Sequence, residues 1–314
     1  MRRLGAFIAF AAIFFLALAL TASQAKATLP AEQSYRIGYQ GRLATEVYVN
    51  GQGPFQFLID TASSRSLVFE HVRQQLNLTQ SQPGRMTVYG INDVADVMPV
   101  KPRELAVAGE TIADITMGVL PDIEPGGPDG ILGVDVLSRY FVVLDRSTMR
   151  MKLLPPGKES AHFYVDWSEV ELLPHPLKKF PIQFWYLKAR FNGWGINSLF
   201  DLGASLTMLN WGAAERLGVH KARFTPYGPP PALLQDVLGK EAPAVRADGL
   251  EVRLPGKSWT KQLAIIADAP VFSYFDLDET PAAIVGLDLL RNSSLAIDFA
   301  GQRLYLGPTV SDGS

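Results

Sequence analysis

The 314-residue sequence contains no cysteine. This absence excludes disulfides, thiolate catalysis, Cys-based zinc sites and lipoprotein anchoring through cysteine. The four histidines share no metal-ligand spacing, and the sequence has neither a phosphate-binding loop nor a serine nucleophile elbow. We therefore expect no metal and no organic cofactor.

Charge is nearly balanced, with 29 Lys plus Arg against 31 Asp plus Glu, so we expect no nucleic-acid partner. Hydrophobic residues make up 47% of the chain, enough for a sizeable core.

The N-terminal segment has the pattern of a secretory signal. Arg2 and Arg3 precede the apolar stretch LGAFIAFAAIFFLALAL, and the small-x-small site Ala25-Lys26-Ala27 follows it. We therefore expect a signal peptide over residues 1–27, export to the bacterial periplasm and no stable membrane insertion after cleavage. The alternative is an uncleaved N-terminal anchor that holds the protein at the membrane, facing the periplasm.

Most of the remaining sequence predicts short β-strands. Apolar and polar residues alternate in brief runs such as TEVYVNG, LKARFNG and LAIDFAGQRLYLG, separated by Gly, Pro and Asn. Only residues 68–78 and 211–219 have a helical pattern. The Pro-rich segment 225–234 is predicted to be a loop, because proline cannot donate a hydrogen bond to a sheet. The sequence therefore predicts an all-β fold with short helices.

An internal repeat covers nearly the whole chain after the signal. A strand, an Asn-Gly turn, an apolar run, an aspartate, small residues and a short helix occur twice in this order. The aspartates are Asp60 and Asp201, which follow the turn residues Asn50 and Asn192 by ten and nine positions. A second block, DGILGVDVLSRYFVVLDRSTMRMKLL, recurs as AAIVGLDLLRNSSLAIDFAGQRLYL. Because order, spacing and chemistry all repeat, two homologous lobes are predicted.

We place the two lobes at residues 30–157 and 168–308. The polar segment 158–167 between them contains turn residues and suits a linker. A twofold arrangement of the lobes would bring Asp60 and Asp201 together. Two carboxylates about 3 Å apart cannot both ionise, so such a pair holds one proton. It therefore supplies a general base and a general acid at once.

The two aspartate loops resemble those of the pepsin and retropepsin-like aspartic proteases. They read LIDTASS and LFDLGAS, and each lobe later contains an apolar-apolar-Gly strand end, Ile131-Leu132-Gly133 and Ile284-Val285-Gly286. The resemblance extends over nearly all of the chain after the signal. It implies two six-stranded β-barrel lobes of the acid-protease fold, with short helices and an active-site cleft between the lobes.

The resemblance also implies roles for individual residues. Asp60 and Asp201 match the catalytic pair of the family. Thr61 matches a hydroxyl that forms hydrogen bonds across to the opposite loop. Ser63 matches a position whose hydroxyl can steady the neighbouring carboxylate, and Gly203 matches the glycine that supports the second one.

Three further features bear on the comparison. Residues 86–97, MTVYGINDVADV, resemble the hairpin flap that closes over a peptide, with Tyr89 and Gly90 near its tip. The family glycine of the first loop is Ala62 here, and the family Thr or Ser of the second loop is Leu202. Losing the hydroxyl at Leu202 removes half of the hydrogen bonds expected between the loops.

Four other aspartates recur in the repeat, and we predict structural roles for them. Asp135 and Asp288 each precede a short helical turn, where an aspartate caps exposed backbone amides. Asp145 and Asp298 lie where a strand enters a hairpin and suit turn positions. Repetition alone therefore does not identify a catalytic residue, whereas the apolar-Asp-small-small context does.

The sequence thus predicts a monomeric aspartic endopeptidase that hydrolyses peptide bonds with an activated water. A first alternative is a catalytically impaired protein of the same fold that binds a peptide or an envelope partner. A second alternative is a β-rich structural protein of the envelope without a functional cleft.

Overall fold

The computed structural model describes residues 31–175, 183–220, 232–236 and 238–310. The predicted signal peptide, residues 1–27, lies outside the described residues. The same holds for residues 225–231 of the predicted Pro-rich loop. The end of that segment differs from the prediction, because residues 232–234 belong to a strand that pairs with the strand after it.

The described chain is mostly β-structure with short helices, which confirms the predicted fold class. The strands up to residue 154 are β1 Glu32–Ile37, β2 Leu43–Val49, β3 Gln52–Ile59, β4 Leu67–Phe69, β5 Met86–Tyr89, β6 Val94–Val100, β7 Leu105–Val107, β8 Glu110–Ile112, β9 Met117–Leu120, β10 Gly130–Leu132, β11 Phe141–Asp145 and β12 Arg150–Leu154. The later strands are β13 Ser168–Glu171, β14 Leu173–Pro174, β15 Trp185–Phe191, β16 Trp194–Phe200, β17 Met208–Leu209, β18 Ala232–Gln235, β19 Glu241–Leu254, β20 Lys257–Ile266, β21 Ala282–Val285, β22 Ser293–Asp298 and β23 Arg303–Thr309.

The helices are all short. They are α1 Glu70–Gln75, α2 Val134–Leu137, α3 Lys158–Ala161, α4 Trp211–Arg216, α5 Pro270–Tyr274 and α6 Leu287–Leu290, with 3-10 turns at Tyr39–Gly41 and His162–Tyr164. None of the helices described has the length and apolar character needed to cross a membrane.

Two sheets contain the described strands. The larger has fifteen strands and runs through both predicted lobes, in the order β13-β23-β22-β11-β12-β1-β2-β3-β10-β4-β9-β6-β5, with β7 paired to β2 and β8 paired to β7. The smaller has eight strands, in the order β14-β15-β16-β21-β17-β20-β19-β18. The two halves of the chain meet in the larger sheet, where β11 pairs antiparallel with β22. A single sheet therefore joins the predicted lobes at their base.

The equivalent Asn-Gly turns set the register of two hairpins. Asn50 and Gly51 join β2 to β3 with positive φ angles of 55° and 75°. Asn192 and Gly193 join β15 to β16 with φ angles of 44° and 84°. Two consecutive positive φ angles match the twist of a tight hairpin, which Asn-Gly adopts at low cost. Each hairpin leads into the strand that ends at one of the repeated aspartates.

Both predicted helices exist but are shorter than the sequence pattern indicates. Residues 68–78 were predicted to be helical, whereas α1 covers six residues and Val68 and Phe69 belong to β4. The helix predicted over residues 211–219 ends at Arg216, and Gly218 follows with a positive φ of 82°. The first difference arises because β4 pairs with β9 and β10, distant contacts that local periodicity does not reveal.

Candidate active site

Asp60 and Asp201 occupy equivalent positions at the ends of two strands. Asp60 follows β3, and its amide donates to the Leu132 carbonyl of β10 at 3.1 Å. Asp201 follows β16, and its amide donates to the Val285 carbonyl of β21, also at 3.1 Å. In each case the aspartate strand runs parallel to the later strand. The repeat predicted from the sequence is therefore a structural repeat around the two aspartates.

The apolar-apolar-Gly strand ends pack against the aspartate loops, as the resemblance implies. A β-carbon on Gly133 would lie 2.7 Å from the carbonyl of Arg65, and one on Gly286 would lie 2.8 Å from that of Leu206. Both distances are shorter than any normal contact, so only glycine fits at these two points. The close approach holds each loop directly beside the strand.

Backbone amides orient both carboxylates. The Ala62 amide donates to Oδ1 of Asp60 at 2.8 Å. Oδ1 of Asp201 accepts from the amides of Gly203 at 2.7 Å and Ala204 at 3.2 Å. These hydrogen bonds fix one oxygen of each side chain and favour its charged form. The methyl group of Ala62, where the family has glycine, leaves this amide contact in place.

The second loop lies directly against the first carboxyl group. A β-carbon on Gly203 would come within 2.4 Å of Cγ of Asp60, so glycine is required here by the approach of the opposite aspartate. Burial raises the pKa of Asp60. Burial, together with the nearby charge of Asp60, raises the pKa of Asp201. The pair therefore retains a proton at a pH where two isolated aspartates would both be ionised.

Thr61 links the two loops through its hydroxyl. Its Oγ1 donates to the Phe200 carbonyl at 2.9 Å and accepts from the Leu202 amide at 2.9 Å. The side chain is fully buried, so water cannot replace either bond. The equivalent residue Leu202 is also fully buried and has no hydroxyl. The linkage expected from the resemblance is present on one side of the pair and absent on the other.

Ser63 supports Asp60 differently from the prediction. Its hydroxyl donates to the Arg65 carbonyl at 2.7 Å and stabilises the turn after the aspartate. The backbone amide of Ser63, not the hydroxyl, interacts with the carboxylate and lowers its pKa. The turn after Asp60 places the Arg65 carbonyl beside the Ser63 hydroxyl, so the hydroxyl donates to this carbonyl and not to the carboxylate.

The predicted capping role is wrong for Asp135 and partly correct for Asp288. Burial raises the pKa of Asp288, and hydrogen bonds from Thr207 and from the backbone amides of Leu289 and Asp288, at the start of α6, oppose that rise. Glycines occupy the N-cap positions of α2 and α6, and neither glycine offers a side-chain cap. Oδ1 of Asp135 instead accepts from the amide and hydroxyl of Ser66, at 2.8 and 2.7 Å. Oδ1 of Asp288 accepts from the hydroxyl of Thr207 at 2.8 Å. Both aspartates thus fix the far ends of the active-site loops, a distant contact that the sequence pattern does not show.

The other two repeated aspartates have the predicted turn roles. Asp145 accepts from the amide of Ser147 at 2.9 Å, directly after β11. Asp298 accepts from the amide of Gly301 at 2.8 Å, directly after β22. Both carboxylates close the tight turns that lead into the next strands.

A hairpin lies over the two aspartates where the flap was predicted. β5 and β6 pair antiparallel, and Tyr89 and Gly90 stand at the start of the connecting turn. The cavity beneath is lined by both aspartates, both of these flap residues and apolar side chains from each half of the chain. The ring of Tyr89 packs edge-on against Tyr274, with 5.0 Å between centroids.

The tip of this flap is fastened to the second half of the chain. The Asn92 amide donates to Oδ2 of Asp236 at 3.0 Å, and the Asn92 side chain donates to the Lys240 carbonyl at 3.0 Å. The Ile91 carbonyl accepts from the Val271 amide at 3.1 Å. Asp236 is only 2% exposed, so the contact is protected from water. The structure therefore shows the flap in a closed position over the cleft.

Sequence analysis missed two charged residues that line this cavity, Arg42 and Arg65. Arg65 is partly buried, whereas Arg42 is only 4% exposed. Arg42 is the one that acts on both aspartates. Its positive charge lowers the pKa of both Asp60 and Asp201, against the larger effect of burial. A signal was present in the repeat, because Arg42 precedes Asn50 by eight positions and Phe184 precedes Asn192 by the same interval.

Metal-ligating side chains do not gather at this site. In the part of the chain that the structure describes, no group of three His, Asp or Glu residues is arranged to hold a metal ion. The chemistry available in the cleft is that of two carboxyl groups sharing a proton, beside one buried guanidinium.

Comparison with known families agrees with this geometry. Residues 45–136 match the model of a family described as aspartyl protease. The matched stretch includes Asp60, its loop, the flap and the strand end at Gly133. The resemblance found in the sequence is thereby confirmed at the level of the family. No curated protein matched the chain.

Proposed function

We propose that this chain, which matches the aspartyl protease family model over residues 45–136, is an endopeptidase that uses Asp60 and Asp201 as a catalytic pair. One observation carries the proposal. The two aspartates end equivalent strands, and the loop of one lies against the carboxyl group of the other beneath a closed hairpin. A coupled pair of this kind holds the single proton that acid-base hydrolysis requires.

The proposed reaction uses one water and no cofactor. The ionised carboxylate takes a proton from the water while the oxygen of that water bonds to the carbonyl carbon of the peptide. The protonated carboxyl group donates its proton to the carbonyl oxygen. A tetrahedral diol results. The first carboxyl then protonates the amide nitrogen, the C–N bond breaks, and one diol hydroxyl returns its proton to the second carboxylate. The products are a carboxylic acid and an amine, with the pair restored.

The arrangement of the chain supports a monomeric enzyme that acts on peptides. Both aspartates come from one chain, so no second copy is needed to complete the pair. The cavity has apolar walls contributed by residues such as Phe184, Leu199 and Val271, which suits peptide side chains. Export to the periplasm, proposed from the segment over residues 1–27, would place the enzyme among envelope proteins and peptides.

Single substitutions at the pair test the proposal. Asp60→Asn and Asp201→Asn should each abolish cleavage of a random peptide library, because the pair then lacks either its base or its acid. Asp248→Asn is the matched control, since this carboxylate is exposed and forms an ion pair with Arg246 in the same strand, away from the aspartate pair. Cleavage at the wild-type rate by either pair variant would overturn the proposed mechanism.

A second candidate is a peptide-binding protein of the same fold with little catalysis. The observation that favours it is the one-sided linkage between the loops, with Thr61 present and the hydroxyl absent at Leu202. This candidate predicts that the wild-type protein binds peptides without cleaving any of them. Replacing the missing group with Leu202→Thr should then create activity, whereas an active wild-type protein excludes this candidate.

A further inference from the structure

Arg42 is a buried cation with incomplete hydrogen bonding. Its Nε is shielded from solvent and has no hydrogen-bond partner. No carboxylate among the described residues forms an ion pair with it, and its guanidinium carbon lies 6.0 Å from the ring centre of Tyr39. The charge of Arg42 is balanced only through space, by the aspartate pair whose pKa values it lowers. Its Nε donor therefore remains available, and a buried donor without a hydrogen bond is costly.

Arg42 also stands at the junction of two cavities. One is the cavity beneath the flap, which contains Asp60 and Asp201. The other lies beside it and is lined by Ser205 and Arg291 among others, with Arg42 common to both. Glu241 lines this second cavity but is exposed and forms no ion pair with Arg42. Arg42 therefore lines both the cavity that contains the aspartates and the cavity beside it.

The internal repeat allows the position of Arg42 to be compared with the equivalent position in the second half of the chain. Phe184, the equivalent residue of the second half, is 3% exposed and lines the same cavity. The two sides of the pair thus present opposite chemistry at equivalent points, an aromatic ring on one side and a cation on the other. An aromatic ring contacts an apolar side chain, while a guanidinium forms a planar fork of donors that matches a carboxylate.

We propose that Arg42 binds a carboxylate of the substrate on one side of the scissile bond. The preferred substrates are peptides with an acidic residue at that position, or with a free C-terminus there, and an apolar residue on the side of Phe184. This inference rests on the proposed function. Hydrogen bonds to charged groups are strong enough for a preference on the order of 10- to 100-fold.

The test compares peptides that differ only as Glu against Gln at each position flanking the cleavage site. In wild-type protein, kcat/KM should favour Glu by about 10-fold or more at one position. Arg42→Gln should abolish this ratio, and Arg42→Lys should keep part of it because the charge remains without the fork. The ratio cancels any effect of Arg42 on the protonation of the pair, which acts on both peptides equally. Phe184→Leu is the matched control and should leave the Glu preference in place.

Two further arms separate the source of the carboxylate. Peptides that end at the selected position are compared as free acids and as amides, and internal Glu peptides are extended beyond it. Preference for the internal Glu assigns an acidic side chain, and preference for the free acid assigns a C-terminus. Equal cleavage of every charged and neutral pair by the wild type would overturn the proposal for Arg42 while leaving the protease intact.

Binding distinguishes failure of this inference from failure of the proposed function. Labelled Glu and Gln peptides are titrated into Asp60→Asn protein, with and without Arg42→Gln, and anisotropy is recorded. Binding that favours Glu and depends on Arg42 supports the carboxylate site even where no peptide is cleaved. Equal binding of both peptides overturns it, whatever the activity of the wild type.

Discussion

The hydroxyl of Thr61 offers the sharpest test of how the site is assembled. Thr61→Val keeps the shape of the side chain and removes only the oxygen that joins the two aspartate loops. The Phe200 carbonyl and the Leu202 amide then lose the partner seen at 2.9 Å in each case. Because the side chain is fully buried, water cannot take its place.

The expected cost follows from these two groups. An unsatisfied buried donor or acceptor costs about 1–3 kcal/mol, so leaving both groups unsatisfied should lower the free energy of unfolding by about 2–6 kcal/mol. The loops carry the two aspartates, so their relative position should also change. Small misplacements of reacting groups are costly, and we expect kcat for peptide cleavage to fall about 10-fold or more.

Thr45→Val is a matched control for this prediction. Thr45 is also fully buried, but its hydroxyl makes a single bond, to the Ser34 carbonyl at 3.1 Å, away from the cleft. Its loss should cost about 1 kcal/mol and leave kcat unchanged. Urea unfolding and peptide-cleavage assays measure both quantities. The reasoning is refuted if Thr61→Val is no more destabilising than Thr45→Val, or if its kcat equals that of the wild type.

Three further outcomes follow from the same structure. Gly203→Ala should destabilise the protein by about 1–3 kcal/mol and abolish cleavage, because the added β-carbon would lie 2.4 Å from Cγ of Asp60. Urea unfolding and peptide cleavage measure the two effects. Gly195→Ala is the control and should change neither quantity much, because the space around Gly195 is open. The pKa of Asp201 is raised in the folded protein, so ionisation of this carboxyl group destabilises the folded state as the pH rises. Asp201→Asn cannot ionise and should therefore unfold at a higher urea concentration than the wild type at pH 8. The difference should disappear towards pH 4, where the wild-type carboxyl group is protonated. His71 bonds to two aspartates, which raise its pKa despite the opposing effect of burial, so His71→Gln should lower stability at pH 5 and leave it unchanged at pH 9 in urea titrations. An equal loss at both pH values would contradict this last expectation.

The sequence predicted the parts of the site that repeat. Asp60 and Asp201 stand out because each follows an Asn-Gly turn and an apolar strand at nearly the same interval. The flap over residues 86–97 was predicted from the resemblance to the aspartic proteases, and a hairpin is found there. These features depend on residues close together in the chain, where periodicity and turn chemistry are informative.

The features that the sequence did not predict depend on distant contacts. Asp135 was expected to cap a helix, but it reaches back to Ser66, from which 69 positions separate it. The hydroxyl of Ser63 follows the path of its own loop, which the aspartate motif does not specify. Arg42 occupies a matched position of the repeat, but the residue there is not the same in the two halves, so the pattern alone does not place it beside the pair. Such pairings are fixed by how strands cross, which no short window of sequence contains.

The strand pair β11–β22 also constrains how a substrate can enter. It joins the two halves of the chain through residues 141–144 and 295–298, independently of the segment over 158–167. Separating the two halves by rotation about that segment would require breaking the β11–β22 pairing. Cutting the chain within 158–167 should leave two fragments that remain associated. Movement of the hairpin above the cleft is the remaining way to open it. This movement requires breaking the hydrogen bonds from Asn92 to Asp236 and Lys240. In the proposed enzyme, a substrate would therefore reach the aspartates by release of this hairpin and not by separation of the two halves.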